Sequence, residues 1–397
     1  MNETLWEYVA LADRDRPEEP TSDKLRTGLA SLWERFRPWS GQAPALGKDN
    51  LDAPPERVLD EVVPRPDFTA AAEALGVAVE ERLRENTSLL VVFEPGDATR
   101  AAFGLVAENR GWCRADPPTR DAIRTGARDW AAALPQETAM PLVLPALERC
   151  YLRHHRGLEP VRRLFDRISR GEGPWIVGCD SWAWAYLRWA LGAEALFPAT
   201  LALRGFDGER LCHWLAQLAR GTDWVFRDAE SGAPLLRAGA ESGAPADPEE
   251  EAQTFFTTLA GRSQGVPGVA RAIWRYALSV EVTDAAKKEA EQESPAELGQ
   301  TLWVAPWSKL SLPTVPAGSS QTDTFVLHTL LLHGGLEEDI LEALVPPSGG
   351  ERSLVALHRL RRERLISKSD TTWRVDPLAY PAVSRHVADY FGLGDGL

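Results

Sequence analysis

Ser88-Leu89-Leu90-Val91-Val92-Phe93 runs straight into Glu94-Pro95-Gly96-Asp97-Ala98-Thr99-Arg100, and this stretch governs the reading of the whole chain. A short, wholly apolar run is the pattern of a strand covered on both faces, and the apolar and charged residues after it are the start of a helix. Phe93 to Arg100 has the length of the phosphate-cradling loop G-x-x-x-x-G-K-[ST]. In that loop glycines free backbone N–H groups to wrap phosphates, lysine meets the β- and γ-phosphates, and a hydroxyl reaches Mg²⁺. The four positions here are Phe93, Ala98, Thr99 and Arg100, and only Gly96, in the middle, remains. The expectation is a nucleotide-hydrolase type of fold whose nucleotide loop has degenerated. Two other readings stand beside it: an ordinary Glu-Pro-Gly-Asp turn in another α/β fold, and a loop in which Arg100 meets a phosphate while Phe93 crowds the mouth and Ala98 restricts the backbone.

Around this stretch helices and strands alternate. Ala71, Leu75, Val79 and Leu83 mark one helix face before it. Further strands are expected at Gly111–Arg114, Pro141–Leu147, Trp175–Cys179 and Thr200–Leu203, with helices over 118–133, 157–170 and 182–191. Strands separated by helices imply a parallel sheet covered on both sides. Upstream, Leu25, Leu29, Leu32, Trp33 and Phe36 recur at helical spacing, and 40–55 reads as a Pro/Gly/Asp-rich linker. Downstream, 206–220, 252–260 and 266–280 read as helices, with a mobile acidic loop at 232–251, a charged stretch at 284–297 that is either an exposed helix or a disordered insertion, and a proline-punctuated connector at 303–320.

Composition sets outer bounds. With 397 residues, 44% hydrophobic and 26% charged, the chain is long enough for several domains of ordinary globular character. It contains no run of eighteen apolar residues and its N-terminus is acidic, so a cytoplasmic protein without membrane insertion is expected. Cys113, Cys150, Cys179 and Cys212 are widely spaced and read as free thiols. The net charge of -14 opposes general attraction to polyanions, and the fifteen tryptophans are mostly core candidates, with a few able to anchor a partner.

The C-terminal region has its own pattern: helices at 322–332, 336–344 and 353–364, a hairpin at 365–375 with a polar tip, and a closing helix at 381–391. Three helices and a β-wing are the elements of a winged helix.

This order of elements, from Asp67 to the C-terminus, resembles the AAA+ ATPases and their STAND relatives. The resemblance implies a parallel five-stranded P-loop core, a helical lid and a C-terminal winged helix. It divides the chain into an N-terminal helical arm and linker (1–58), the core (59–204), the lid with acidic insertions (205–302) and the connector with the winged helix (303–397). Pro141-Leu142-Val143-Leu144 looks like the Walker B strand, yet Pro145 and Ala146 occupy the places of its acids, and Glu148 lies too far along in this register. Asp180 and Ser181 look like sensor 1 residues. Gly265-Val266-Pro267 is similar to the turn that opens the last lid helix, with Arg271 near sensor 2. Phosphoryl transfer is mostly positioning and charge stabilisation, so the loss of lysine, metal hydroxyl and both acids implies a pseudo-ATPase with no cofactor.

The chain is therefore expected to act as a regulatory or scaffold subunit through protein partners, an active ATPase homologue or an effector among them. A DNA-binding regulator and a non-standard ATPase are the alternatives. Arg153 and Arg156 sit in a basic stretch with Arg149, His154, His155, Arg162 and Arg163. Read plainly it is a solvated helix face, while in family terms it borders a neighbouring subunit. Arg352, Arg359, Arg361, Arg362, Arg364 and Lys368 decorate the third C-terminal helix and the wing, where nucleic acid would touch, among Glu337, Glu338, Asp339, Glu342 and Glu351. His154-His155 lacks a third ligand for a metal, and no Ser/His/Asp set stands out.

Overall fold

β3 (Ser88–Phe93) is buried along its whole length and lies between β6 (Trp175–Asp180) and β7 (Ala199–Leu203), parallel to both. The computed structural model describes residues 5–18, 51–85, 88–95, 100–126, 130–135, 140–237, 250–281, 301–345, 347 and 351–393. The helix expected at Lys24–Trp39, most of the acidic loop at 232–251, the charged stretch at 284–297, and Gly96, Ala98 and Thr99 lie outside the described residues.

The main sheet has the order β1-β7-β3-β6-β5-β4, with β1 at Tyr8–Ala10, β4 at Cys113–Arg114 and β5 at Leu142–Leu144. Its last five members are parallel, which requires crossovers. Helices α3 (Arg100–Arg110), α4 (Arg120–Thr125), α5 (Trp130–Ala133), α6 (Glu159–Ser169) and α7 (Ser181–Leu191) lie along them in sequence. The chain runs outward from β3 to β4, returns through β5 and β6, and crosses β3 to reach β7. The segments leaving β3, β5 and β6 thus converge at one edge, the place where open parallel sheets hold ligands. This is the α/β core of a P-loop type of fold, with Glu94 and Pro95 leaving β3 and Arg100 opening the next helix.

By internal contacts the chain forms two compact units. One contains residues 1–15, 67–204 and 313–397; the other contains 16–66 and 205–312. The first holds the main sheet, α2 (Thr69–Leu83) and the C-terminal region of α11 (Gln321–His333), β12 (Leu336–Glu337), α12 (Glu338–Leu344), α13 (Ser353–Arg362), β13 (Ile366–Ser369), β14 (Thr372–Val375) and α14 (Tyr380–Phe391). β12, β14 and β13 form a small sheet in that order.

The division departs from the four segments that the sequence suggests. The N-terminal segment does not simply pack as an arm: β1 pairs antiparallel with β7 and extends the main sheet. The second unit is not a purely helical lid. Beside α1 (Glu56–Val62), α8 (Gly208–Leu218), α9 (Glu250–Arg262) and α10 (Pro267–Ala277) it has a five-stranded sheet, β2-β10-β11-β8-β9, at Leu51–Asp52, Leu278–Glu281, Thr301–Val304, Val225–Asp228 and Pro234–Arg237. Leu278 and Val280 continue the helical spacing of α10, yet pairing with Val304 and Asp52 draws this segment into a strand. Trp303 belongs to β11 and not to a connector. Trp274, with Phe226, Phe255 and Phe256 at 5.4, 5.7 and 5.6 Å between ring centroids, anchors the core of this unit.

In the first unit Trp6, 6% exposed, meets Phe68 edge-on at 6.1 Å immediately before β1. Trp6→Ala is expected to destabilise the protein by about 3 kcal/mol through the cavity it leaves, read as a lower urea midpoint.

Candidate functional site

Where β3, β5 and β6 end, two carboxylate centres lie side by side. Asp180, the last residue of β6, and Glu148, in a 3-10 turn at Leu147–Arg149 after β5, both accept from Arg100 at the start of α3: Nη1 bonds Glu148 Oε1, and Nη2 bonds Asp180 Oδ1. Glu148 Oε2 also accepts from the Asp180 backbone N–H at 3.3 Å. Glu148 is fully buried and the Asp180 side chain is 6% exposed, whereas the Arg100 side chain is 30% exposed and reaches inward from the rim. Burial acts to lower the Arg100 pKa, but Asp180 and Glu148 outweigh it, so the net shift is upward and the guanidinium stays charged.

Glu94, directly after β3 and 3% exposed, forms the second centre. Its Oε2 accepts from Ser181 Oγ at 2.9 Å and from Tyr380 Oη at 2.7 Å, and its Oε1 pairs with Arg14. Residues 14, 94, 181 and 380 are thus joined across almost the full length of the first unit.

The end of α11 closes the same edge. Arg120 donates from Nη2 to the His333 carbonyl at 2.8 Å and from Nη1 to the Tyr151 and Glu148 carbonyls at 2.7 and 3.1 Å, while Tyr151 Oη donates to the Leu332 carbonyl at 2.7 Å. These donors satisfy carbonyls that a helix C-terminus leaves open, and a cation is favoured there. Burial pulls the Arg120 pKa down, with Glu148 acting against it. Gly334 ends the helix with φ of 61°, and a Cβ on it would lie 2.8 Å from Asp180 Oδ2. Only glycine fits both the backbone and the space.

The other residues singled out from sequence are placed as follows. Phe93 ends β3 with the Arg100 guanidinium 5.8 Å from its ring centroid. It is buried, with its ring 5.7 Å edge-on from Phe103, because the last residue of β3 still points into the core. Pro145 and Ala146 follow β5, and the Pro145 carbonyl lies against Gly178. Glu148 is not too far along: the 3-10 turn folds it back onto Asp180, a displacement that linear spacing hides. In the second unit Arg271 donates to the carbonyls of Pro64 and Val63 at 3.0 and 2.9 Å, so its guanidinium braces a backbone turn. Glu94 and Arg120 carry no local signal that separates them from turn and helix residues.

On the C-terminal region Arg352 pairs with Glu342, Arg359 with Asp323 and Glu351, and Lys368 with Glu338. Arg361 lies over the Trp373 ring at 5.9 Å, and Arg362 and Arg364 are exposed. Arg153 reaches His328 Nδ1 at 3.4 Å, and Arg156 is exposed. Among the described residues no cluster of three or more His, Cys, Asp or Glu is placed to hold a metal ion, and no helix is long and apolar enough to cross a membrane. The four cysteines are free, and burial pushes the Cys150 and Cys179 thiols well above the ordinary range, opposite to what a nucleophile requires.

Sheet order and the position of this corner define a P-loop-type α/β protein. Among solved structures the chain is similar to AAA+ ATPases. The ORC2 protein of Aeropyrum pernix, in ADPNP–ADP complexes, is 14% identical with a TM-score of 0.39, covering 88% of this chain and 97% of that one. The RuvB Holliday junction branch migration motor of Thermotoga maritima is 13% identical with a TM-score of 0.30, over 80% and 94%. Cdc6p of Pyrobaculum aerophilum is 10% identical with a TM-score of 0.30, over 86% and 99%. No protein-family model matches the chain, and no curated protein sequence matches it.

Two outcomes are expected. Arg100→Met leaves two buried carboxylates without their cation and costs about 3 kcal/mol; adding Asp180→Asn costs less than the sum of the single changes, as a double-mutant cycle by chemical denaturation will show. His328, 9% exposed against Phe391 and Trp182, has its pKa pushed from 6.5 down to about 3 by burial and by Arg153. Between those pH values the unfolded chain binds a proton that the folded chain refuses, so this contribution is complete above pH 6.5 and fades as pH falls toward 3. His328→Phe is expected to flatten the stability profile there by about 1.4 kcal/mol per pH unit.

Proposed function

We propose that this chain is a catalytically inactive AAA+/STAND-like protein that works as a regulatory or scaffold subunit through protein contacts. The observation that carries this reading is the Arg100 guanidinium held between Asp180 and Glu148. A phosphoryl-transfer site keeps acids at this edge to organise Mg²⁺ and the attacking water. Here both acids are bonded to a cation supplied by the chain itself, from the position where the loop pattern calls for a metal-binding hydroxyl. The lysine position is Thr99. For metal to enter, an internal ion pair with little water around it must break, and Gly334 must withdraw from Asp180.

The same contacts support a holding role. The C-terminal elements, read as a winged helix, are bonded to the core edge through Tyr380, Arg120 and Tyr151, so this edge supports a domain. For nucleic acid, Arg352, Arg359 and Lys368 are already matched to carboxylates, which lowers the continuous positive field that backbone binding needs.

Thermal unfolding with and without Mg²⁺-ATP tests the reading. No rise in melting temperature and no hydrolysis above background are expected. A site filled at a hundred times its Kd adds about 2.7 kcal/mol, and a melting shift of that order would overturn the proposal.

A further inference from the structure

The turn between β5 and α6 carries a group of charges that the corner described above does not use. Leu152 N–H donates to the Gly157 carbonyl at 3.1 Å, His154 N–H to the Leu152 carbonyl at 2.8 Å and Gly157 N–H to the His154 carbonyl at 3.0 Å, closing 152–157 into a tight loop. A Cβ on Gly157 would overlap the Leu152 carbonyl, so the loop can close this tightly only with glycine there. It presents Arg153, His155 and Arg156 outward, with Arg162 following in α6.

Several arginines of the first unit are matched. Arg163 pairs with Glu159, Arg167 and Arg170 with Glu172, Arg110 with Glu73 and Glu80, and Arg124 with Asp121. Arg153, Arg156 and Arg162 have no carboxylate partner among the described residues, in a chain whose net charge is -14. Arg153 meets His328 Nδ1, and grouped in this loop and the helix after it, amid an excess of acid, the three arginines offer a place for a ligand that supplies carboxylates. Beside them, Tyr186 stacks on Tyr151 at 5.6 Å, and both Arg153 and Arg162 act on its phenol. One turn further along α7, on the same face, Trp189 is 85% exposed. Arginine, tyrosine and tryptophan are the residue types that concentrate binding energy at protein interfaces.

We propose that the 152–157 loop, Arg162 and the Tyr186–Trp189 edge form a docking surface for an Asp/Glu-rich segment of a partner protein. Carboxylates match the guanidinium fork in two-point hydrogen bonds. A short acidic segment feels chiefly the local field, since salt screens charges beyond about 8 Å. A long polyphosphate would also meet the acidic remainder of the chain. The proposal rests on the reading that this protein works through protein contacts and adds the chemistry of the partner.

The test is fluorescence anisotropy of a labelled poly-glutamate peptide on the full chain at about 150 mM salt, with an oligothymidylate of equal length as competitor. Saturable binding is expected, weakened at least about tenfold by R156E/R162E, left unchanged by R124E, whose guanidinium is already paired with Asp121, and displaced by oligothymidylate only at higher concentration than by unlabelled peptide. Should charge reversal unfold the chain, R156Q/R162Q carries the same test, with about threefold weakening. Absent saturable binding, binding indifferent to these substitutions, or tighter oligothymidylate binding would overturn the proposal. None of these results depends on the response to Mg²⁺-ATP, so the two readings fail separately.

Discussion

Asp180 ends one strand of a parallel sheet and Glu148 sits in the turn after the neighbouring strand, and bringing two carboxylates together in a buried corner carries a large electrostatic cost. Arg100 offsets it. Its planar fork reaches both acids at once, which a lysine does not do, and its partial exposure limits the desolvation of the cation itself. The rest of the corner depends on this arrangement: the Asp180 backbone can donate to Glu148, Gly334 can approach Asp180, and Arg120 can clamp the carbonyls of Glu148 and His333 in one grip.

Glu94 repeats the solution with neutral donors, since Ser181 and Tyr380 hydroxyls share its charge with Arg14. Its ligands come from the first residues of the chain, the middle and the end. A carboxylate this deeply buried needs every one of its bonds, so the N-terminal strand, the sheet and the C-terminal helices are tied into one unit. An edge used in this way carries structure, whereas a nucleotide-cycling edge must exchange ligands and water. That contrast underlies the proposed scaffold role.

Much of the main sheet was legible from sequence because buried parallel strands are uniformly apolar: Ser88–Phe93 and Trp175–Asp180 lie where such runs predict. The C-terminal helices lie near the expected ranges, and the structure bounds α11 with a Ser320–Asp323 capping box before it and Gly334 after it. The second sheet was not legible. Its strands are four residues or shorter, and Leu278–Glu281 follows a helix without a break, so only its cross-strand partners separate it from that helix. The corner was half legible. Asp180 and Arg100 stand at motif positions, but Glu148 was excluded by counting along an extended register that a 3-10 turn then shortened.

By itself the sequence determined an alternating α/β core and, after its first core strand, a segment without the phosphate-loop lysine, because side-chain periodicity and the absence of lysine are local properties. Only the tertiary structure decided which groups Arg100 and Glu94 meet. The bond from Arg100 to Glu148 spans 48 positions and that to Asp180 spans 80, while Tyr380 reaches Glu94 over 286. The pairing of charges at such separations is set by where the strands end in space, and no local pattern of residues encodes that.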